Sequence, residues 1–379
     1  MPEVLDIGDG SQDALIVRLR AGGYEGWGEC EASPLVSIAS WVCPKSHSAC
    51  KPIQESVLGQ RLDSAEDVAR IARLVKRNSF DLLQTDHTLS GIDIAMWDLL
   101  GKRFETPTWK LLGYKESFAK RPYASALFGD EPQDTLAKAR MFREMGYSAA
   151  KFGWGPFGKK DLEADVSQLH AAREGLGPDG ILLVDAGTAF GDDVEAAAKR
   201  LPALRETRAE WFEEPFETGA LPAYAALAKR ADGVKIAGGE ECHYFHMARQ
   251  MIDSAGISYV QIDAGRIGGI TPCKQVADYA VAKGLTYVNH TFTSHLALSA
   301  SLQPFAGLKG HTISEYPVEL KALARDLVKQ PIERDANGMI HAPDSPGLGI
   351  EVDLETVRKY RVEAEVRVKG QVLYRSPDV

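Results

Sequence analysis

The sequence contains no apolar run long enough to cross a bilayer, no secretory signal pattern at its start and no block of basic residues. Acidic and basic residues are interspersed along its 379 positions, and the formal net charge of −9 argues against a basic face for nucleic acid or a polybasic membrane patch. The five cysteines are odd in number and irregularly spaced, which argues against a disulfide framework. We therefore expect a cytoplasmic protein that binds a small molecule, and neither nucleic acid nor membrane.

Polar residues stand at the ends of a series of short apolar runs in the middle of the chain. They are Lys151, Asp185, Glu213, Glu240, Asp263, His290 and Glu315. The steps between them are 34, 28, 27, 23, 27 and 25 residues. One strand of about 5 residues, one helix of about 11 and two short loops fill roughly that length. Because a (β/α) barrel carries its catalytic groups at the carboxyl ends of successive strands, the spacing predicts a barrel enzyme.

The sequence changes character twice, which divides the chain into three parts. Residues 1–113 combine a hairpin pattern with helical patterns and predict an α+β domain. Residues 114–320 alternate short strand patterns with Ala-rich helical patterns, as the crossovers of a parallel barrel do. Residues 321–379 show turns and strand patterns that predict a return to the first domain. The expected fold class is α/β, a barrel with a smaller α+β domain.

Three consecutive predicted strands end in a carboxylate, namely those of Asp185, Glu213 and Glu240. Carboxylates gathered in one barrel mouth repel one another unless a cation compensates them, and oxygen ligands favour Mg²⁺ over Zn²⁺. Each acid alone could instead cap the helix that follows it. Glu214 and Glu241 directly follow two of these residues, but neighbours on a strand point to opposite faces. We choose the first residue of each pair and expect a Mg²⁺ site.

Asp263 and His290 end the next two predicted strands, which places a carboxylate beside an imidazole. Such a pair fixes the imidazole tautomer and raises its basicity, so His290 is the candidate general base. His295, five residues further along, is the second choice and a weak candidate for a substrate contact. Lys151 ends the strand that precedes the three carboxylates, where a lysine can stabilise an oxyanion or move a proton.

Motifs in both predicted domains carry a family resemblance. They are Gly26-Trp-Gly-Glu29, Ser90-Gly-Ile-Asp-Ile-Ala-Met-Trp-Asp98, Trp211-Phe-Glu-Glu-Pro215, Ala237-Gly-Gly-Glu240, Asp263-Ala-Gly-Arg-Ile-Gly-Gly269 and Pro346-Gly-Leu-Gly349. With these motifs the chain resembles the enolase superfamily, and within it the mandelate racemase subgroup, over nearly its whole length. The resemblance implies a modified (β/α)7β barrel of the TIM type, capped by an α+β domain that both ends of the chain form.

The resemblance also implies roles for the strand-end residues. The implied Mg²⁺ ligands are Asp185, Glu213 and Glu240. The implied reaction begins with removal of a proton next to a carboxylate, by His290 with Asp263 as the base. Glu315 would hydrogen-bond the substrate carboxylate. Members of this family are often homo-oligomers, so a homo-oligomer is expected.

One position departs from the family pattern. Many relatives end the second barrel strand with Lys-x-Lys, whereas this chain has Lys151 and then Gly153. Racemisation needs acid–base groups on both faces of the carbon acid, whereas dehydration can use one histidine for both proton transfers. We predict a Mg²⁺-dependent dehydratase that converts an aldonic or aldaric acid into a 2-keto-3-deoxy acid. A racemase or epimerase of a 2-hydroxy acid, with Lys151 taking part, and a non-catalytic relative are the alternatives.

Further residues are weaker candidates for substrate contacts. Lys45 and His47 fall in a loop where relatives contact the far end of the substrate, although such loop residues are commonly only solvated. Trp154 could form a wall of the pocket, but an aromatic residue there more often packs. Arg266 fits a structural salt bridge as well as a place behind the catalytic groups. Relatives carry a strand and a lid loop before the segment that begins at Asp13, and the shorter start predicts an open pocket or one that a neighbouring subunit completes.

Overall fold

The computed structural model of the protein describes residues 13–31 and 33–379. The segment before Asp13, on which the expectation about the lid rests, lies outside the described residues. Among the residues described, no helix has both the length and the apolar character needed to cross a membrane.

An antiparallel hairpin and a group of helices make up the first domain. The strands are β1 (Leu15–Ala21) and β2 (Tyr24–Cys30), and the helices are α1 (Pro34–Val42), α2 (Gln54–Val57), α3 (Ala65–Ser79), α4 (Thr85–Arg103) and α5 (Thr108–Leu111). Helix α4 lies directly on the hairpin at Gly26 and Gly28, where a Cβ would overlap a backbone carbonyl oxygen of the helix. The Gly-Trp-Gly motif is therefore required by this close approach.

Eight parallel strands form the barrel, in the order β10-β3-β4-β5-β6-β7-β8-β9. They are β3 (Arg121–Leu127), β4 (Ala149–Gly153), β5 (Ile181–Asp185), β6 (Ala209–Glu213), β7 (Lys235–Gly238), β8 (Tyr259–Asp263), β9 (Thr286–His290) and β10 (Ile313–Pro317). At the seam between β9 and β10, the side chain of Asn289 supplies hydrogen bonds. Its Oδ1 accepts from the backbone N–H of Glu315 at 3.0 Å.

Helices connect the strands in the right order for a (β/α)7β barrel. They are α6 (Pro132–Glu144), α7 (Leu162–Leu176), α8 (Val194–Ala198) with α9 (Leu201–Glu206), α10 (Leu221–Ala228), α11 (Phe245–Ser254), α12 (Ile270–Lys283) and α13 (His295–Leu302). Helix α6 begins with a capping box between Glu131 and Asp134, which explains why the helix starts there.

An apolar layer fills the barrel below its carboxyl-terminal mouth. It consists of Tyr123, Ala149, Leu183, Trp211, Ala237 and Val288. Because side chains alternate between the two faces of a strand, the residues two positions further along point to the same interior. For five of these strands those residues are Ser125, Lys151, Asp185, Glu213 and His290. The two-residue period of the strands thus places polar side chains at the mouth, directly above the apolar layer.

The chain returns to the first domain after the barrel. The elements there are α14 (Ala322–Asp326), α15 (Leu354–Tyr360), β11 (Glu365–Val368) and β12 (Gln371–Arg375). Asp98 of α4 links the first domain to the segment after the barrel. Its carboxylate accepts from the backbone N–H groups of Trp27 at 2.8 Å and Leu348 at 2.9 Å. The predicted fold class, a barrel with an α+β capping domain, is confirmed. The predicted boundaries after residues 113 and 320 fall between α5 and β3 and between β10 and α14.

Candidate active site

Three carboxylates meet at the carboxyl ends of β5, β6 and β7. Asp185 and Glu213 are paired in register, and Glu240 lies just beyond the end of β7. One oxygen from each of the three side chains lies within 4.8 Å of those from the other two. All three side chains are buried, and oxygen donors suit a hard divalent cation. The structure therefore brings the three predicted metal ligands together, and their chemistry fits Mg²⁺.

The charges of this trio are not balanced. Burial raises the pKa of Asp185 to about 6 and that of Glu213 to about 8, and the nearby lysine only partly opposes the rise. Burial also acts to raise the pKa of Glu240, but the charges of His290 and Arg266 help to outweigh it and lower the pKa to about 2. A divalent cation would relieve the repulsion that remains among these buried carboxylates.

The second residue of each acidic pair faces away from the trio. Glu214 has a φ of 37°, so the chain turns sharply after β6. Its Oε1 accepts from the backbone N–H of Gly239 at 3.0 Å. Glu241 Oε2 accepts from the hydroxyl of Thr218 at 3.1 Å. Both carboxylates are thus held by neighbouring loops.

His290 and Asp263 form a buried pair on one side of the mouth. His290 Nδ1 lies 2.7 Å from Asp263 Oδ2, and Asp263 Oδ1 accepts from the backbone N–H of Gly265 at 2.6 Å. The other ring nitrogen, Nε2, lies 3.2 Å from Glu240 Oε2. Burial acts to lower the pKa of His290, but the charges of Glu240 and Glu315 and the hydrogen bond with Asp263 raise it to about 10. One nitrogen is thus anchored while the other faces the trio.

Lys151 occupies the other side of the mouth. Its Nζ donates to Glu213 Oε1 at 2.7 Å and lies 2.9 Å from Glu315 Oε1. Glu315 is itself fixed, since it accepts from the Ser125 hydroxyl at 2.7 Å and from the backbone N–H of Thr291 at 2.6 Å. Burial acts to lower the pKa of Lys151, but Glu213 and Glu315 raise it well above its ordinary value. Lys151 is therefore a fixed positive charge.

Gly153, the position at which the family resemblance predicts a second lysine, lies beside Asp185. The two residues are paired in register across β4 and β5. A Cβ at Gly153 would lie 2.7 Å from Asp185 Cβ and 2.8 Å from its Oδ2. Any side chain here would therefore require the Asp185 carboxylate to move.

A cavity of about 1090 Å³ opens above these groups. Its polar part is lined by Lys151, Asp185, Glu240, Arg266, His290 and Glu315. Its walls include Phe128, Trp154, Phe292, Pro317, Val318 and Leu320, with Asp130, Lys138 and Glu319 among the charged residues further out. The cavity suits a small carboxylate with polar substituents.

Two of the weaker candidates border this cavity. Trp154 is 41% exposed, and its ring lies over Gly187, where a Cβ would approach the indole to 2.6 Å. Arg266 pairs through its Nε with Glu31, just after β2, and through Nη1 with Glu240 Oε1 at 3.2 Å. Arg266 thus combines a salt bridge between the two domains with a contact to a metal-ligand candidate.

Three predicted substrate contacts do not border the cavity. Lys45 and His47 are exposed, because their loop folds onto the end of α3 rather than over the mouth. His295 is buried at the start of α13, where its Nδ1 accepts from the backbone N–H of Ile332 at 3.0 Å. The structure therefore places all three residues outside the cavity lining, where the predicted substrate contacts would have to lie.

Three residues without a predicted role support the predicted site residues. Ser125 and Thr291 hold Glu315, and Glu31 pairs with Arg266. Ser125 lies on β3, the first barrel strand, whereas the predicted series of strand-end residues begins with Lys151 on the second. Its position two residues beyond the apolar Tyr123 is the signal that would have found it. Glu31 carries no comparable signal, since it belongs to a loop.

Fold and site together define an α/β-barrel protein with a capping domain and a carboxylate trio opposite a His–Asp pair. The family described as enolase C-terminal domain-like matches residues 134–357. The N-terminal domain of the mandelate racemase and muconate lactonizing enzyme family matches residues 7–113. The chain belongs to the enolase superfamily and is mandelate racemase-like, as its motifs predicted.

Individual relatives fall into more than one reaction class. The chain is 27% identical to a D-galactarolactone cycloisomerase of Agrobacterium fabrum, over 90% of this chain and 89% of that protein. It is 29% identical to an arabinonate dehydratase of Saccharolobus solfataricus, over 73% of this chain and 72% of that protein. These relatives are enzymes of one superfamily, and they leave both lyase and isomerase chemistry open for this chain.

Solved structures confirm the fold. A protein named as a predicted mandelate racemase from Rhodobacter sphaeroides is 60% identical, with a TM-score of 0.94 over 100% of this chain and 97% of that one. A racemase from Streptomyces coelicolor with bound magnesium is 25% identical, with a TM-score of 0.78 over 92% of each chain.

Proposed function

We propose that the protein is a Mg²⁺-dependent dehydratase of an acid sugar. It would remove the proton next to the carboxylate of an aldonic or aldaric acid and expel the β-hydroxyl group, giving a 2-keto-3-deoxy acid. The observation that carries this proposal is the asymmetry of the mouth. One side has the His290–Asp263 pair, whereas the other has the fixed charge of Lys151 and, at Gly153, no second lysine. The similarity to an arabinonate dehydratase supports the reaction class.

Asp185, Glu213 and Glu240 would hold the Mg²⁺, as their clustered oxygen atoms favour. Bound there, Mg²⁺ would stabilise the negative charge that develops on the substrate carboxylate and would offset the charge of Glu240 beside His290. Lys151 would add a second, fixed positive charge, because its ammonium group is held by Glu213 and Glu315.

His290 would carry out both proton transfers. Asp263 holds Nδ1, so Nε2 is the nitrogen that takes the α-proton. The imidazolium then returns that proton to the β-hydroxyl group as its C–O bond breaks, and water leaves. The enol that remains transfers its hydroxyl proton to C3 and becomes the ketone. A single histidine thus completes the dehydration without a base on the opposite face.

An isomerase is the second candidate, because the D-galactarolactone cycloisomerase is similar over 90% of this chain. In a cycloisomerase the departing oxygen stays in the product, whereas in a dehydratase it leaves as water. A racemase or epimerase would instead need Lys151 to exchange protons on the second face. The contacts of Lys151 with two carboxylates speak against that role.

We also propose that the protein works in the cytoplasm as a homo-oligomer, with a small carboxylate as substrate and no nucleic-acid or membrane partner. The interspersed charges and the net charge of −9 support the choice of a small-molecule partner.

The test is incubation of the purified protein with Mg²⁺ and a panel of aldonic acids, aldaric acids and their lactones, followed by an assay for 2-keto acids. Keto acid formed from an open-chain acid, and lost in His290→Asn, is the expected result. Keto acid formed from a lactone alone would favour the cycloisomerase, and inversion at the α-carbon without keto acid would favour the racemase. If Mg²⁺ does not bind while Asp185, Glu213 and Glu240 are intact, the metal-dependent proposal fails.

A further inference from the structure

A second group of metal-ligand side chains lies in the capping domain, away from the barrel mouth. His47 Nε2 lies 3.3 Å from Cys50 Sγ and 3.6 Å from Asp81 Oδ2. All three ligand atoms lie within 4.8 Å of one another. A tetrahedral Zn²⁺ with bonds of about 2.0–2.3 Å holds its ligands roughly 3.5 Å apart. We propose that His47, Cys50 and Asp81 form a site for a borderline-soft divalent cation of the Zn²⁺ class.

The backbone around this cluster holds the ligands in place. Residues 46–51 form a loop that hydrogen-bonds to the end of α3 and to the residues after it. The N–H of Lys51 donates to Asn78 O at 3.0 Å, and the N–H of Asp81 donates to Ala49 O at 3.3 Å. These bonds bring Asp81 beside Cys50 although the two are far apart in sequence. An incoming ion therefore meets ligands that are already assembled.

A second thiol lies near the cluster. Cys43, His47 and Cys50 occur within eight residues of the same loop. The Cys43 thiol, however, donates to the backbone carbonyl of Ser40 at 3.8 Å. Cys43 is not part of the group of ligand atoms that lie within 4.8 Å of one another, so water would fill the fourth coordination position.

The donor atoms distinguish this site from the trio in the barrel. The trio offers only carboxylate oxygens, which suit Mg²⁺, whereas the capping-domain cluster offers sulfur, imidazole nitrogen and oxygen. His47 and Asp81 have side chains that are 57% and 40% exposed, so an ion can enter from solvent. Once bound, the ion would tie the loop to the carboxyl end of α3. The proposed site and the proposed catalytic function are independent of each other.

The test uses the full chain, reduced, stripped of metal and then saturated with Mg²⁺ to fill the barrel trio. Co²⁺ is the first probe, because a bound thiolate gives a charge-transfer absorption band that carboxylates do not. Zn²⁺ retained after gel filtration is then measured by elemental analysis. We expect the Co²⁺ band in the wild type and about one more Zn²⁺ per chain than in Cys50→Ser. Zn²⁺ should also raise the melting temperature of the wild type more than that of Cys50→Ser, in which the barrel trio is intact.

A matched control separates this site from ordinary surface binding. His341 Nε2 lies 3.2 Å from Asp335 Oδ2, and this pair has similar exposure, with side chains 49% and 36% exposed. His341→Gln should therefore leave the Co²⁺ band and the Zn²⁺ content unchanged, whereas His47→Gln should lower both. The proposal is overturned if the wild type shows no thiolate band, or if Cys50→Ser and His341→Gln retain the same amount of Zn²⁺ as the wild type.

Discussion

The two sides of the barrel mouth hold positive charge in different ways. On one side, Asp263 contacts Nδ1 of His290 at 2.7 Å, and Nε2 lies 3.2 Å from Glu240, whose charge a bound Mg²⁺ would offset so that Nε2 can meet a reacting atom. On the other side, the single ammonium group of Lys151 lies 2.7 Å from Glu213 and 2.9 Å from Glu315. An imidazole with one anchored nitrogen can still accept a proton at the other, whereas an ammonium group shared by two carboxylates is held in its charged form. Under the proposed function, the histidine side moves protons and the lysine side supplies charge.

The largest expected effect is on the histidine side. His290→Asn removes the proton-transfer group, so kcat should fall by about 10³- to 10⁴-fold. Steady-state kinetics with the best acid of the panel measures the loss. The control is His295→Asn, which replaces a buried histidine away from the cavity. Its kcat should stay within about 3-fold of the wild-type value when both proteins are assayed at a temperature at which both are folded. Comparable activity of His290→Asn and the wild type would remove His290 from the proton-transfer role.

A smaller loss is expected on the lysine side. Lys151→Met removes one fixed charge, so kcat should fall by roughly 10²-fold. Because Lys151 no longer competes for Glu213 and Asp185, Mg²⁺ should bind more tightly in a calorimetric titration. A loss of α-proton exchange equal to that of His290→Asn, with weaker Mg²⁺ binding, would contradict the division of tasks between the two sides.

The histidine side should also make the stability of the metal-free protein depend on pH. The folded-state pKa of His290, about 10, lies above its ordinary value of 6.5. The stabilisation from the charged imidazole is therefore complete below about pH 6.5 and is lost as the pH rises through about 10. In EDTA, the melting temperature of the wild type should fall more between about pH 7 and pH 10 than that of His290→Asn. Equal falls would show that the charged imidazole does not stabilise the metal-free fold.

A substitution at Gly153 tests whether the lysine side leaves room for a side chain. Gly153→Ala places a Cβ against Asp185, so the free energy of unfolding should drop by about 1–3 kcal/mol and Mg²⁺ affinity by about 10-fold. Gly310→Ala is the control, because a Cβ there would meet nothing within 4 Å. Denaturant titration and calorimetry compare the two variants. If Gly153→Ala behaves like Gly310→Ala, then Asp185 can move aside and a second base at this position is possible.

The smallest effect is expected at the cavity wall, beyond both sides. Trp154→Ala removes a partly exposed ring that borders the cavity, so KM should rise by roughly 3- to 10-fold while kcat changes little. Trp154→Phe keeps an aromatic wall and should recover most of the affinity. A parallel fall in kcat would show instead that Trp154 positions the reacting carbon.

Residues on the strands could be predicted from the sequence because the strand period fixes their direction. A polar residue two positions beyond an interior apolar residue points into the mouth, as Leu183 and Asp185 or Val288 and His290 show. Glu240 was predicted at the end of a strand, and it lies two residues past the end of β7, with a side-chain oxygen close to those of the other two carboxylates.

Residues on loops could not be placed in this way, because no period fixes where a loop folds. The loop that contains Lys45 and His47 is held by backbone hydrogen bonds to the end of α3 and the residues after it. These bonds join residues that are distant in sequence. His295 is only five residues beyond His290, yet the chain enters α13 between them and the ring turns into the core. The pairing of Glu31 with Arg266 joins two domains and likewise depends on tertiary structure.

Turnover of an acid-sugar substrate in ²H₂O, stopped before completion and followed by NMR, shows whether protons move only on the His290 side. The proposed division of tasks between the two sides gives a 2-keto-3-deoxy acid as product, and any deuterium at the α-carbon of the unreacted substrate has the original configuration. Deuterated substrate of inverted configuration would contradict it, because inversion requires a second proton-transfer group on the Lys151 side.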